Sequence, residues 1–473
     1  MPRVFAAIDI GASGGRVMAG IVSSIGIELQ PIHRFPNSAT ARDGHLRWDI
    51  ERLFDEVLIG LERLASEHPD VESIGVDTWA VDYALLDDEQ QLIAQPIAYR
   101  DDRTTTVIDE VHRRISPDEL YRINGLQFLP FNTMYQLAAD QRGELWDRAA
   151  HIVLLPDLIA FWLTGALGAE YTNASTTGLV DARTRDWSLD LLERLGIAPS
   201  LLSPVQQPGT ARGVLHNTMC RRLGMRADVE VITVGSHDTA SAVAGLPSRS
   251  DRFAYVSSGT WSLVGLELAV PILTADARAA NFTNEGGVDD RVRFLRNVGG
   301  LWLLQESVRT WAEKGNALDL GDLLAAAASL PDGGPTFDVD EAAFIPPGDM
   351  PSRINDVMRA RGKRPPATPI ETTRCIIDSL AAGYASTLRR ASQLAQKDID
   401  TLHIVGGGSQ NELLCQQTAN RTGLPVVAGP VEATAIGNIA VQARTKGALP
   451  ASCDDVRRLI ATDPTLREYQ PVP

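Results

Sequence analysis

Cysteine is scarce in this chain of 473 residues: Cys220, Cys375, Cys415 and Cys453 stand far apart, with no C-x-x-C and no H-E-x-x-H. That spacing argues against a zinc site and gives no ground for a disulfide framework, so a reducing, cytoplasmic setting is expected. No G-x-x-x-x-G-K-[ST] occurs, which rules out a P-loop nucleotide site. Long apolar runs are missing as well. The most apolar stretch, Ile152 to Leu167, is broken by Pro156 and Asp157, and the N-terminus reaches Asp9 with no small-residue cleavage site. Neither a membrane span nor a signal peptide is expected. Positive charge is in deficit, 44 Lys and Arg against 60 Asp and Glu, for a formal net charge of −16. Such a surface repels nucleic acid and anionic membrane, whose protein partners rely on Lys and Arg. An anionic ligand would have to be met locally, by backbone N–H groups, a metal ion and a few arginines.

What remains is the composition of an ordinary globular chain, 44% hydrophobic and 22% charged, long enough for two large domains or about three small ones. Val4 to Ile10 is a β-prone run, Gly11 to Gly15 a turn, and Arg16 to Val22 a second run, which predicts a hairpin. From Asp49 onward Ile50, Leu53, Phe54, Val57, Leu58, Leu61 and Leu64 recur at helical spacing behind an N-cap. A strand follows near Ile74 to Val76, closing on Asp77, Thr78 and Trp79, and Val81 to Leu86 predicts another. Ser116, Pro117 and Glu119 make a capping box at a further helix start. The theme then returns: strand Phe253 to Ser257, turn Ser258 to Thr260, strand Trp261 to Leu266, a helix through Ile376 to Leu388, and a buried strand Leu402 to Val405 running into Gly406-Gly407-Gly408. This is an imperfect internal repeat, with a much longer insertion in the second copy. The loop around Gly245 to Arg252 divides the chain into residues 1–246 and 247–473, and Pro331 to Pro369 reads as a loop-rich surface stretch.

Three places could carry chemistry. Asp9-Ile10-Gly11-Ala12-Ser13-Gly14-Gly15-Arg16 sets a carboxylate at a strand end, glycines in a turn and a cation beyond it. It suits either a phosphate site with a metal-holding Asp or a plain glycine hairpin with a surface Asp–Arg pair. It also satisfies G-x-S-x-G, but that nucleophile elbow needs a helix after the serine, and Val17 to Val22 predict a strand. Ser236-His237-Asp238-Thr239 follows the apolar run Val229 to Val234, where α/β proteins place reacting groups; Asp238 is either such a group or only a helix cap. Gly406 to Asn411 follows a third strand, and its three glycines permit close approach of a flat or phosphorylated ligand.

These glycine turns, the duplicated hairpin and the Asp residues at strand ends resemble the actin-like ATPase plan. Across some 400 residues the chain is similar, more specifically, to the FGGY family of carbohydrate kinases. The matching segments, in the family's order, include Ile8 to Val17, Val76 to Tyr83, Ala98 to Asp101, Gln127 to Thr133, Glu170 to Ala174, Ser236 to Val243, Ser257 to Leu263, Asn284 to Gly287, Gly300 to Gln305 and Gly406 to Asn411. The resemblance implies an α/β fold of two actin-like, ribonuclease H-like domains about a central cleft, with sugar and phosphate on the N-terminal side and nucleotide on the C-terminal side. It implies ATP as co-substrate, Mg²⁺ as cofactor, a ketose as acceptor, and a monomer or small homo-oligomer. Asp238 would be the general base, with Ala80, His237 and Asn297 beside the sugar. Ala12, Ser13, Gly14, Gly15, Arg16, Thr260, Gln305 and Gly407 would contact ATP, and Asp9 the metal. Trp79, Tyr83 and Phe131 are candidates for an apolar wall. Two positions depart from the family's pattern: Gly14 replaces a Ser or Thr, removing one hydroxyl donor, and Ala80 replaces Gly. A non-catalytic actin-like module would share the hairpins but has no need of the segments around Trp79, Phe131 and Asp238.

Overall fold

Every residue from Val4 to Ile10 is buried, Asp9 included, so the strand Arg3–Gly11 has no face for water and must lie inside a covered sheet. In the computed structural model, which describes residues 2–472, it pairs antiparallel with Gly14–Ser23 and parallel with Ser73–Thr78. The six strands run in the order Gly26–Pro36, Gly14–Ser23, Arg3–Gly11, Ser73–Thr78, Glu230–Ile232, Ala211–Val214. One face is covered by the helix Ile50–Glu67, capped by Asp49 as its spacing predicts; Leu53, Val57, Leu58, Leu61 and Leu64 are fully buried, each contributing roughly 1.5–3 kcal/mol of gross burial. The other face is covered by Ala433–Thr445. There Ala435, Ile436 and Ile439 pack with Phe5, Ala7 and Met18, and Gln442 Nε2 donates to the Ala6 carbonyl at 2.9 Å.

The second sheet repeats the plan. Phe253–Ser258 pairs antiparallel with Trp261–Leu268 and parallel with Thr401–Val405, which pairs parallel with Val426–Ala428, itself antiparallel to Arg467–Tyr469. With Val292–Gly299 beside Trp261–Leu268, six of the seven strands follow the order of the first sheet, and Thr283–Gly286 is added at the edge beyond Val292–Gly299. The repeat read from the hairpins is therefore a duplication of topology.

The two compact units are not continuous in sequence. One comprises Met1–Arg249, Glu267–Phe294 and Ala433–Asp463, the other Ser250–Leu266, Leu295–Glu432 and Pro464–Pro473. The loop at 246/247 marks a linear division, whereas packing draws Ala433–Asp463 back onto the first sheet. Two local expectations shorten or change. The strand after Trp79 begins only at Tyr83, because Val81 has φ +70°. The Pro331 to Pro369 stretch holds a helix, Met350–Ala360, whose Met350, Ile354 and Met358 are buried at i, i+4, i+8 behind the Asp349 cap. Proline-rich flanks hide that period. All four cysteines are free and buried, and no helix among the described residues is long and apolar enough to cross a membrane.

Candidate active site

Parallel pairing brings three segment ends to one edge of the first sheet. Register sets Asp9 beside Asp77 and Ile10 beside Thr78, and Thr78 bridges to His237. Thr78 N donates to Ser236 O at 2.9 Å and Trp79 N to Ile10 O at 3.2 Å. Asp9, Ala80, His237 and Asp238 are thereby gathered beyond the carboxyl ends of parallel strands, where open α/β sheets bind ligands. Asp238 is not a cap: His237 holds that position, and Asp238 is the first residue of the helix Asp238–Ala244. Its side chain is 31% exposed, and its Oδ1 accepts from Thr239 Oγ1 at 3.0 Å and lies 3.4 Å from His237 Nε2.

The first turn is held from outside. Asn37 donates to Gly11 O and, from its backbone, to Ser13 O. Ser13 is exposed and Ala12, Gly14 and Arg16 are half-buried, while Gly15 is buried. Neither Gly11, Gly14 nor Gly15 uses a left-handed φ. A Cβ on Gly14 would meet the Phe35 carbonyl at 3.1 Å, and one on Gly15 the Phe35 ring at 2.3 Å. These two glycines therefore answer to close packing rather than to bending. A strand follows Ser13, so no nucleophile elbow forms. Arg16 donates from Nε and Nη2 to Asp9 Oδ2, at 2.9 and 2.6 Å.

Burial shapes the electrostatics. Asp77 is held well above the usual carboxylate range by desolvation, and the Asp9 and Asp238 carboxylates push it further up. Its Oδ2 accepts from Asn438 at 2.6 Å, and its buried Oδ1 has no hydrogen-bond partner. Asp82 is pushed up to about 6 by burial, although its Oδ2 accepts from the Trp48 and Trp79 indoles at 2.6 and 2.9 Å and from Tyr99 N at 3.2 Å. Glu170, raised by burial to about 7, ties Ser236 to Thr172 through its Oε2.

Thr260, Asn297, Gln305 and Gly407 belong to the second unit. The hairpin turn there is the hub. Leu301 N and Trp302 N donate to Gly259 O and Thr260 O, so the helix Trp302–Glu313 that carries Gln305 springs from it. A Cβ on Gly300 would meet Thr260 O at 2.5 Å, one on Gly406 Ser258 O at 3.0 Å, and one on Gly408 Ser258 Oγ at 2.0 Å. Gly407, between the last two, is exposed with nothing within 4 Å of an added Cβ. The hairpin turn that holds Thr260 thus adjoins the glycine turn of Gly407 through Ser258, Gln305 lies on the helix that leaves it, and Asn297 lies on the neighbouring strand Val292–Gly299.

Of the proposed aromatic wall, Phe131 stands 5.2 Å from Tyr99 between ring centroids, and Trp79 lies tilted at 49° against Trp48 with centroids 4.4 Å apart. Tyr83 does not join them. It is buried with its hydroxyl on Asp140 and lines a separate cavity of about 390 Å³ with Arg103, which touches none of Asp9, His237 and Asp238. Within Tyr83–Leu86 alternation sets Tyr83 and Leu85 in one cluster, while Ala84 and Leu86 face the core of the first sheet. Tyr99, whose phenol is raised by burial and by Asp238 among its neighbouring charges, is the aromatic residue that sequence reasoning missed. Asp77 was legible as a strand-end carboxylate and Glu285 only as a member of the segment Asn284 to Gly287; Arg293, described below, carries no local signal.

Residues 4–245 match the FGGY family of carbohydrate kinases, N-terminal domain, and residues 254–445 its C-terminal domain. The protein belongs to the FGGY family of carbohydrate kinases. Over 471 residues it is 42% identical to the rhamnulokinase of Klebsiella pneumoniae (strain 342), covering 99% of this chain and 94% of that one. Among solved structures it resembles a gluconate kinase from Lactobacillus acidophilus (TM-score 0.80, 16% identity, 100% and 94% of the two chains). A xylulose kinase from Rhodospirillum rubrum (0.78, 18%, 100% and 95%) and the Plasmodium falciparum glycerol kinase with ADP (0.77, 13%, 99% and 94%) are also similar. At such identities these structures attest to the fold alone.

Proposed function

We propose that this carbohydrate kinase transfers the γ-phosphoryl group of ATP to O1 of L-rhamnulose. The observation that carries the reading is the 42% identity to the Klebsiella rhamnulokinase along 99% of the chain. The arrangement around Asp238 supports it chemically. Asp238 Oδ1 is engaged by Thr239 and faces His237, which leaves Oδ2 to take the proton of O1–H. As that proton moves to the carboxylate, O1 bonds to the γ-phosphorus, and the bond from phosphorus to the ADP oxygen breaks with its electron pair leaving on ADP. Such a base contributes about 10² to 10⁴-fold, and the remainder is positioning and electrostatic stabilisation. Arg16, the Ala12 to Gly15 turn and Thr260 serve the phosphates, Gln305 and Gly407 contact ATP, and Ala80 and Asn297 serve the sugar.

Mg²⁺ fits the acidic pair. Asp77 has a buried oxygen without a partner and is forced toward its protonated form beside Asp9, a strain that a cation would relieve. Asp9 and Asp77 would hold the ion, which when bound neutralises charge on the phosphates; Mg²⁺ commonly takes only one or two carboxylates and keeps waters. Trp79, Tyr99 and Phe131 are the apolar candidates for the methyl end of the ketose. An apolar wall discriminates against an added hydroxyl by only about 10²-fold, so configuration at carbons 3 and 4 should matter more than the methyl. Coupled ADP release over a ketose panel tests this. L-Rhamnulose should give the highest kcat/KM, its 6-hydroxy analogue measurable activity, and fuculose and xylulose less. Equal values across the panel would defeat the sugar assignment and leave the kinase standing; no ADP release with any of them would defeat both.

A further inference from the structure

At the ring nitrogen of His237 remote from Asp238 lie two side chains with no part in the chemistry above. Arg293, on Val292–Gly299, is fully buried, and Glu285, on Thr283–Gly286, is 8% exposed. Arg293 Nε donates to Gly286 O at 2.8 Å, while Nη2 stands 3.0 Å from His237 Nδ1 and 3.1 Å from Glu285 Oε2. Glu285 Oε2 is itself 3.4 Å from His237 Nδ1. A buried guanidinium costs several kcal/mol to desolvate unless charge and hydrogen bonds compensate. Glu285 supplies the charge.

Protons can be assigned by elimination. A guanidinium only donates, so an Nη2–H pointing at Nδ1 requires the lone pair there, and Nδ1 carries no proton. The competing arrangement, Nδ1–H donating to Glu285, uses the longer contact and leaves Nη2 facing a proton. The neutral imidazole must then be protonated at Nε2, the nitrogen 3.4 Å from Asp238 Oδ1. We propose that Arg293, held by Glu285 and Gly286, is a positioning residue that fixes His237 as the Nε2–H tautomer. The ring then offers a donor to Asp238 and to the sugar and presents no bare lone pair. An imidazole with a free Nε2 would compete with Asp238 for the O1 proton; in this tautomer Asp238 is the one base on that side. The inference rests on the reading of Asp238 as general base.

The test uses the full-length protein labelled with ¹⁵N-histidine, at about pH 8 where an ordinary imidazole is neutral, with the His237 signals assigned by their loss in His237→Asn. The wild type should show a bare Nδ1 and a protonated Nε2. In Arg293→Met, Glu285 loses its partner and recruits Nδ1–H, so the tautomer should invert and kcat for the ketose should fall by about 10²-fold, with the KM for ATP unchanged. Arg293→Lys should keep the wild-type tautomer and recover part of kcat. A proton on Nδ1 in the wild type would overturn the proposal, as would Arg293→Met with unchanged tautomer and turnover. Should Arg293→Met fail to fold, the wild-type spectrum and Arg293→Lys still decide it. L-Rhamnulose added without ATP should shift the His237 signals; the expected tautomer with no such shift would support the positioning role and defeat the sugar reading instead.

Discussion

Asp238 and Asp82 are carboxylates that follow two neighbouring parallel strands of the first sheet, yet their surroundings give them opposite tasks. Asp238 is part exposed and meets a hydroxyl donor through one oxygen, which suits a base that must gain and lose a proton. Asp238→Asn keeps its volume and the Thr239 contact but cannot accept a proton. ATP affinity measured by calorimetry should stay near wild type while kcat falls at least about 10²-fold, and near-normal turnover would clear Asp238 of its role. Asp82 is buried and serves as anchor for two indoles and the Tyr99 amide. Burial raises it from 3.8 to about 6, so the folded state favours the protonated form. The stability this contributes is full below about pH 4 and is lost as pH rises through about 6. Asp82→Asn retains an oxygen for all three donors and carries no charge. Its stability relative to wild type should therefore improve between about pH 4 and pH 7.5, by at most roughly 3 kcal/mol, in urea unfolding. A difference that does not change with pH would mean that Asp82 titrates normally.

At the scale of elements, the turn Gly406-Gly407-Gly408 shows three glycines with three physical reasons. Gly406 has φ +78°, Gly408 packs against Ser258, and Gly407 borders open space. Gly408→Ala must displace Ser258 or the strand end and should cost about 1–3 kcal/mol by thermal unfolding. Gly407→Val meets nothing in the protein and should fold normally. It should nevertheless raise the KM for ATP about tenfold, a loss of roughly 1.4 kcal/mol, with sugar affinity little changed. Normal ATP affinity in the folded Gly407→Val protein would move the nucleotide contact elsewhere on the second unit.

For the whole molecule, the decisive feature is that one face of the first sheet is covered by a helix nearly two hundred residues beyond that unit's linear end. Ala433–Thr445 meets Asp238–Ala244 so closely that a Cβ on Gly437 would sit 1.8 Å from Ser241 O, and Asn438 and Gln442 reach Asp77 and Ala6. Residues 1–246 expressed alone would expose Phe5, Ala7 and Met18 to water. The fragment should bind hydrophobic dye and lack near-ultraviolet circular dichroism, whereas the same fragment with Ala433–Asp463 attached through a flexible linker should recover both properties. A natively folded 1–246 fragment would show that the returning helix is dispensable.

Strands, hairpins, the helix capped by Asp49 and the position of Asp238 after a strand were legible in the sequence, because propensity, capping and periodicity act over a dozen residues or fewer. The duplication was legible for the same reason, since each copy announces itself by a local turn. Tertiary structure alone decided what each charged or small residue faces. Arg293 lies 56 residues from His237 and Asn438 361 residues from Asp77, and no local pattern reports a partner at such a distance. Gly14 and Gly15 likewise read as a flexible phosphate turn until Phe35 is seen against them. Burial, and with it the rise of Asp77, Asp82 and Glu170, exists only once the sheet is covered on both faces, because desolvation is a property of the packed chain and not of any segment of it.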